Sequence, residues 1–292
     1  MGQQILNGVF VGSIYALFAV GYTLVFGVLD ILNLAHAAVF MLSAFAALLL
    51  VADAHLSLWV ALPLAVVIGG LIGIVLERLA FRPLRGRADS NISGLISSLA
   101  MATVFEAIAL QIFGPDISRF PQDTFPERMI RIGGASASVL QLCIVGISVI
   151  LMTLLTLLLA RTRLGRQIRA VAESPRAARV LGIDVDRTIA MAFFLSSALG
   201  GAAGVLFGLA FNSISPDVGR SVELKGLAVI ILGGMGSVPG AVIAGFALGL
   251  VEVFTVAHLG SSFRDVVSFA VLFLVLVARP RGLLGRAAAR VA

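Results

Sequence analysis

Long apolar runs separated by short polar breaks dominate the chain from its first residues. In a helix rising 1.5 Å per residue, ~20 apolar residues cross the hydrocarbon layer of a membrane. Runs of that kind fall at 5–27, 31–51, 57–79, 91–113, 137–160, 188–211, 240–257 and 263–278, with a shorter one at 225–237. The short run carries Gly233, Gly234 and Gly236 and reads either as a half-helix or re-entrant piece or as a full crossing. The pattern predicts an all-α fold, a polytopic transmembrane helical bundle of about eight to ten spans including broken or short helices. The runs follow one another too closely for a soluble domain to fit between them, so residues 1–292 are expected to form a single transmembrane domain.

Composition agrees. Of 292 residues 60% are hydrophobic and 12% charged, with a mean hydropathy of +1.09; soluble domains run near ~45–50% and ~25%. The net charge is +6, which by itself suits nucleic acid as well as a membrane. Its placement decides the matter. The arginines gather in the short segments 78–89 and 161–187 and in the tail from Arg279, which is the positive-inside pattern, and nucleic acid is not an expected partner. These three segments are predicted to face the cytoplasm, with the C-terminus, and 114–136 to lie outside. The start, MGQQILNGVF, lacks a basic region before its apolar stretch, so no cleaved leader is expected. A lone cysteine, Cys143, makes no internal disulfide. RPLRGR at 82–87 and RPRGLLGR at 279–286 each close a group of apolar runs, either as traces of a duplicated bundle or as two independent membrane borders.

The most informative stretch is 161–187, RTRLGRQIRAVAESPRAARVLGIDVDR. It divides into two short helices, the first near 165–173. Ser174 is placed to cap the second, Pro175 occupies its first position without wasting an N–H, and Gly182 is able to end it in a left-handed conformation. Between the caps, Ala177, Ala178, Val180 and Leu181 alternate with Arg176 and Arg179. A free helix this short is marginal in water, so its apolar side needs a surface. Lipid headgroups and a soluble docking partner both satisfy that need.

Inside the membrane, polar residues are costly and mark either function or internal hydrogen bonding. Asp30, Asn33 and His36 recur at a three-residue spacing that puts them on one helical face or at a capped break. No metal site is expected of that set. Gly8 and Gly12 form a GxxxG step, with Gly21 and Gly27 beyond, for close helix approach. The glycine-rich KGLAVIILGGMGSVPGAVIAGFALGLVE lacks the lysine-serine end of a phosphate loop. It reads as a broken helix pair at membrane depth or as a tight turn between close-packed helices. Glu106 and Glu252 stand within apolar runs; Glu106 has no cationic partner evident in the sequence.

GSIYALFAVGYTLVFGVLDILNLAH, ERLAFRPLR, FGPD, GRQIRAVAESPRAARVLGIDVDR, KGLAVIILGGMGSVPGAVIAGFALGLVE and ARPRGLLG stand in one order along nearly the whole chain. Together they resemble the LivH-type permease subunits of branched-chain amino acid ABC importers. That resemblance implies a multi-pass permease domain of the bacterial inner membrane. Its expected partners are a second homologous, LivM-like permease, two ATP-binding subunits, a periplasmic substrate-binding protein and membrane lipid. No cofactor is expected in this chain, since ATP and Mg²⁺ belong to the partner ATPases, and no enzyme activity of its own. Within 161–187 it implies a coupling loop in which Ser174, Pro175, Arg176, Ala177, Ala178, Arg179, Leu181 and Gly182 meet the ATPase. Asn33, His36, Glu106, Gly233, Gly234 and Gly236 are the residues expected near the translocation path. Two departures stand out: Ala37-Ala38 follow His36 where a small-acidic pair is frequent, and Arg176 stands where an acid is frequent. The alternatives are an ion-coupled transporter or channel acting alone, and an ABC permease for amides, urea or sugars.

Overall fold

The computed structural model describes residues 1–85, 90–121, 124–125, 128–132, 135–280 and 282–285. Part of each predicted arginine-proline repeat, and Arg281, Arg286 and Arg290 of the tail, lie outside the described residues. Among those described, the fold is almost wholly helical. The long helices are α1 (Gly2–Leu29), α2 (His36–Ala52), α3 (Leu58–Leu76), α4 (Ser90–Phe113) and α5 (Val139–Arg161). Two short helices, α6 (Arg163–Glu173) and α7 (Pro175–Val180), lead into α8 (Val185–Phe211), α9 (Val218–Gly233), α10 (Val238–Leu259) and α11 (Arg264–Ala278). Seven of the described helical segments are long and apolar enough to cross a membrane. The apolar α2 has 17 residues, at the lower limit of a crossing, and α9 with 16 falls just below it.

One element departs from the all-α expectation. Strands β1 (Met129–Ile132) and β2 (Ala135–Ser138) form an antiparallel hairpin, Met129 opposite Ser138 and Ile132 opposite Ala135. Ser138 then caps α5, its side chain accepting from Leu140 N–H while Gln141 accepts from Ser138 N–H.

Helix α1 is the centre of the bundle, held by α10, α8, α5 and α9. Being apolar on all sides, it has no face suited to water, and its middle from Ile14 to Tyr22 is buried throughout. Its approach to α10 is backbone to backbone: a Cβ on Gly12 would lie 2.8 Å from Phe246 Cα. Small residues of α3 and α8 meet in the same way, through Gly69, Gly73, Ser197 and Gly201. Helices α4, α5 and α11 are mostly exposed, with Ile92, Leu154 and Phe273 turned outward, as lipid-facing or subunit-facing surface requires.

Contacts sort the connecting segments by end. At one end, Gln3 of α1 bonds to Ser136 of β2, and Ser118 pairs with Ile214. At the other, Arg82 and Arg85 reach Asp186, while Leu283 and Leu284 donate to the carbonyls of Leu232 and Gly233. The described arginine-bearing segments therefore gather away from 114–138, in the relative sidedness that charge predicts.

Candidate functional site

Helices α6 and α7 form as the sequence pattern requires. Thr162 caps α6, accepting from Gly165 N–H at 3.1 Å, so that helix begins two residues before the predicted 165. Gly165, Ile168 and Val171 are buried beneath it and its arginines face outward. Ser174 caps α7 by accepting from Ala177 N–H at 3.2 Å, Pro175 opens it, and Gly182 follows at φ 79°. A left-handed residue at that position closes the helix end, and glycine adopts it without a Cβ clash.

Of the four apolar residues of this segment, Ala178 alone is buried. Val180 is 86% and Leu181 77% exposed, and Pro175, Arg176, Ala177, Arg179 and Gly182 are exposed too. Two large apolar side chains therefore project beside two arginines from a rigid turn. Removing the cap is a direct test of that rigidity. Ser174→Ala is expected to cost about 1 kcal/mol of local helix stability. Trypsin should then cut the detergent-solubilised protein after Arg176 or Arg179 about fivefold faster; an unchanged rate would show that the cap does not hold the segment.

The polar positions of the membrane interior fall into separate groups. Asp30, Asn33 and His36 do not share a helical face. Asp30 ends α1 in a left-handed conformation (φ 55°) and is exposed, and the chain stays non-helical until α2 begins at His36. The helix does break here, but no side chain caps the start of α2. Asn33 Oδ1 accepts from Ala35 N–H at 3.2 Å, and Asn33 O accepts from His36 N–H. His36 is fully buried against Gly200, near the middle of α8, with its ring 4.8 Å from that of Phe18 and 5.4 Å from that of Tyr22. The break thus lies inside the bundle, where irregular backbone is tolerated only in contact with protein or a cavity.

Glu106 proves to have a partner that sequence did not disclose: Arg220, on the first turn of α9, reaches it at 2.7 Å and adds two further bonds through Nε. The two residues are 114 positions apart, and only the fold brings them together. Glu252 is buried and shared by Lys225 (2.7 Å), Arg264 and the Tyr15 hydroxyl (3.2 Å). Lys225, Arg264 and Tyr15 border a cavity of about 620 Å³ between α8, α9 and α11, a feature with no sequence motif behind it. With its acid held by two cations, this group is a lock between α1, α9, α10 and α11.

The glycine-rich segment resolves as a turn. Helix α9 ends at Gly233, Gly234 and Gly236 take φ 99° and 82°, and Ser237 caps α10 by accepting from Gly240 N–H. The tail lies over it through Leu283 and Leu284. Gly233, Gly234 and Gly236 are thus at the arginine-rich end, apart both from the α1–α2 break with Asn33 and His36 and from the Glu106–Arg220 pair. The close approach of Gly233 to Gly240 is what the glycines permit.

Residues 4–276 match the family described as branched-chain amino acid transport system / permease component. The chain is 36% identical to the high-affinity branched-chain amino acid transport system permease protein BraD of Pseudomonas aeruginosa, covering 97% of this chain and 95% of that one. It is 35% identical, with the same coverage, to the corresponding protein LivH of Escherichia coli K12. This chain belongs to that permease family. Among solved structures, the permease is similar to PsaBC from Streptococcus pneumoniae in complex with Fab, at a TM-score of 0.50 and 13% identity over 96% of this chain and 92% of the other, a likeness of fold alone. The permease is a transport component of the membrane.

Proposed function

We propose that this permease is the membrane subunit of an ABC importer that moves branched-chain or similar amino acids across the bacterial inner membrane. On this reading two separate ATP-binding subunits hydrolyse ATP with Mg²⁺, a periplasmic binding protein delivers the substrate, and a second, LivM-like permease completes the channel. Residues 1–292 act as one permease domain, with 161–187 as its cytoplasmic coupling loop and the C-terminus on the same side. The observation that carries the proposal is α7: a rigid turn, capped at both ends, that leaves Val180 and Leu181 in the open. Two exposed aliphatic side chains beside Arg176 and Arg179 suit an apolar groove with a polar rim on a soluble partner.

A short helix with satisfied ends moves as one body, so force applied at α7 passes to α8 through the four residues that join them. Asp184 caps α8 by accepting from Arg187 N–H, which keeps that joint short and ordered. The test is reconstitution. Labelled leucine should accumulate in proteoliposomes only when ATP, both ATPase subunits, the second permease and the binding protein are present. Uptake by this chain alone under an ion gradient would overturn the proposal in favour of an ion-coupled carrier.

A further inference from the structure

The break between α1 and α2 holds more unpaired polarity than a membrane interior tolerates without reason. Asn33, His36 and Tyr22 are each 1% exposed or less. Yet Asn33 Nδ2, both ring nitrogens of His36 and the Tyr22 hydroxyl have no hydrogen-bond partner among the described residues. Phe18 O lies near the His36 ring without reaching bonding geometry. Each such buried polar atom is costly to leave unpaired, and their clustering calls for a function.

The first turn of α2 opens onto the same place. Because Asn33 Oδ1 accepts from Ala35 N–H, the unpaired amide nitrogen on that side chain sits just ahead of α2. His36 N and Val39 N find acceptors in Asn33 O and Ala35 O, while the N–H groups of Ala37 and Ala38 have none among the described residues. His36 occupies the first helical position, and side chains on a helix lean toward its N-terminus. Helix N–H groups, an amide, an imidazole and a phenol are all able to donate. Their common complement is a carboxylate, which the positive end of the helix dipole also favours.

Opposite stands one acid. Gly219 of α9 abuts Ala37, where a Cβ would lie 2.8 Å from the Ala37 carbonyl, and Gly226 abuts Phe18. Glu223 lies four residues after the first and three before the second, so it shares the face that α9 turns toward the α1–α2 break. It is within electrostatic reach of Tyr22. Its Oε1 is buried and unpaired, while Arg220, the nearby cation, is bonded to Glu106.

We infer that the α1–α2 break and Glu223 form a way-station for the zwitterionic end of an α-amino acid, Asn33, Tyr22 and the α2 N-terminus taking its carboxylate and Glu223 its ammonium. The inference rests on the transport reading above and gives it a chemistry: the head group common to all α-amino acids is read here. The groups are enclosed in this conformation, so α9 must draw back from the break for the substrate to enter. Glu223 is then a binding residue that sequence alone did not single out.

The experiment uses the complete transporter in nanodiscs and proteoliposomes, with labelled leucine as probe. Isopentylamine lacks the carboxylate and 4-methylpentanoate lacks the ammonium. Without the binding protein, leucine should displace the probe at least about tenfold better than either analogue. Glu223→Gln should weaken leucine about tenfold and leave 4-methylpentanoate within about twofold; Tyr22→Phe, which keeps the ring packing, should do the reverse for isopentylamine. A merely structural role would lower the amount of assembled complex without changing this selectivity. Wild-type uptake of leucine with both variants unaltered would mean that structural water alone fills the break, and would overturn the way-station while leaving the transport reading intact. Failure of the wild-type complex to import any neutral amino acid would overturn the transport reading, and the way-station with it.

Discussion

Val180→Asp combined with Leu181→Asp is expected to leave the permease correctly inserted and to reduce ATP-driven uptake at least about a hundredfold. The two side chains are 86% and 77% exposed in the isolated chain, so changing them removes no packing from the bundle. Buried in a partner's groove, each would contribute about 1.5–3 kcal/mol, and a carboxylate in its place must be desolvated as well. Loss of both therefore removes several kcal/mol of docking, which is more than two decades of affinity. Co-purification of the ATPase subunits with the tagged permease is the direct readout, and thermal stability of the detergent-solubilised chain is the control. Intact co-purification and uptake would remove docking at α7 from the account. Ala177, exposed but small, should matter less than either, and Ala178 differently: it is buried against the permease itself, so Ala178→Asp should damage the fold before it damages docking.

How far the chain was readable in advance depended on the range of the interaction. The ends of α7 are local: Ser174, Pro175 and Gly182 act within a few bonds of their own backbone, and all three occupy the positions that the residue types imply. Long apolar runs are likewise local, and most helices fall where hydropathy puts them. The hairpin at 129–138 is not evident from hydropathy although Gly133-Gly134 between alternating residues is a hairpin signal, because its strands are short and carry little apolar pattern to raise them above their surroundings. The start of α9 was read too late, at 225 instead of 218, because Arg220, Glu223 and Lys225 break the hydropathy of its first turns. The two cations are held by partners remote in sequence, Arg220 on Glu106, and Lys225 on Glu252 and Asp265. Three-residue spacing misled at Asp30, Asn33 and His36, where a left-handed Asp30 stops the helix before the pattern can be realised.

The same long range governs the second large effect. Arg85→Ala is expected to destabilise the permease by about 3–5 kcal/mol, the usual consequence of stranding one member of a buried pair. Glu77 is 1% exposed, on a π-helical turn that continues α3, and Arg85 bonds to it directly. Arg85 also reaches Asp186 at 2.8 Å, and Arg82 takes the other oxygen of Asp186 at 3.3 Å. Asp186 stands in the first turn of α8, four residues beyond Gly182, so this cluster fastens the end of α3 to the point where the α6–α7 segment enters the bundle. The two ends of the cluster should separate under mutation. Asp186 is 46% exposed on its side chain, and such pairs contribute roughly 0–1 kcal/mol, so Asp186→Asn should leave thermal stability nearly unchanged. If the cluster transmits motion from α7 to α3, that variant should nevertheless hydrolyse ATP at a near-normal rate while importing about tenfold less leucine per ATP. Arg85→Ala should fail earlier, as a lowered melting temperature of the purified chain before any partner is added. Equal stability of Arg85→Ala and wild type would show that Glu77 is not held by this arginine, and unchanged leucine-to-ATP stoichiometry in Asp186→Asn would show that motion reaches α3 by another route, with the glycine-lined contact between α3 and α8 as the remaining path.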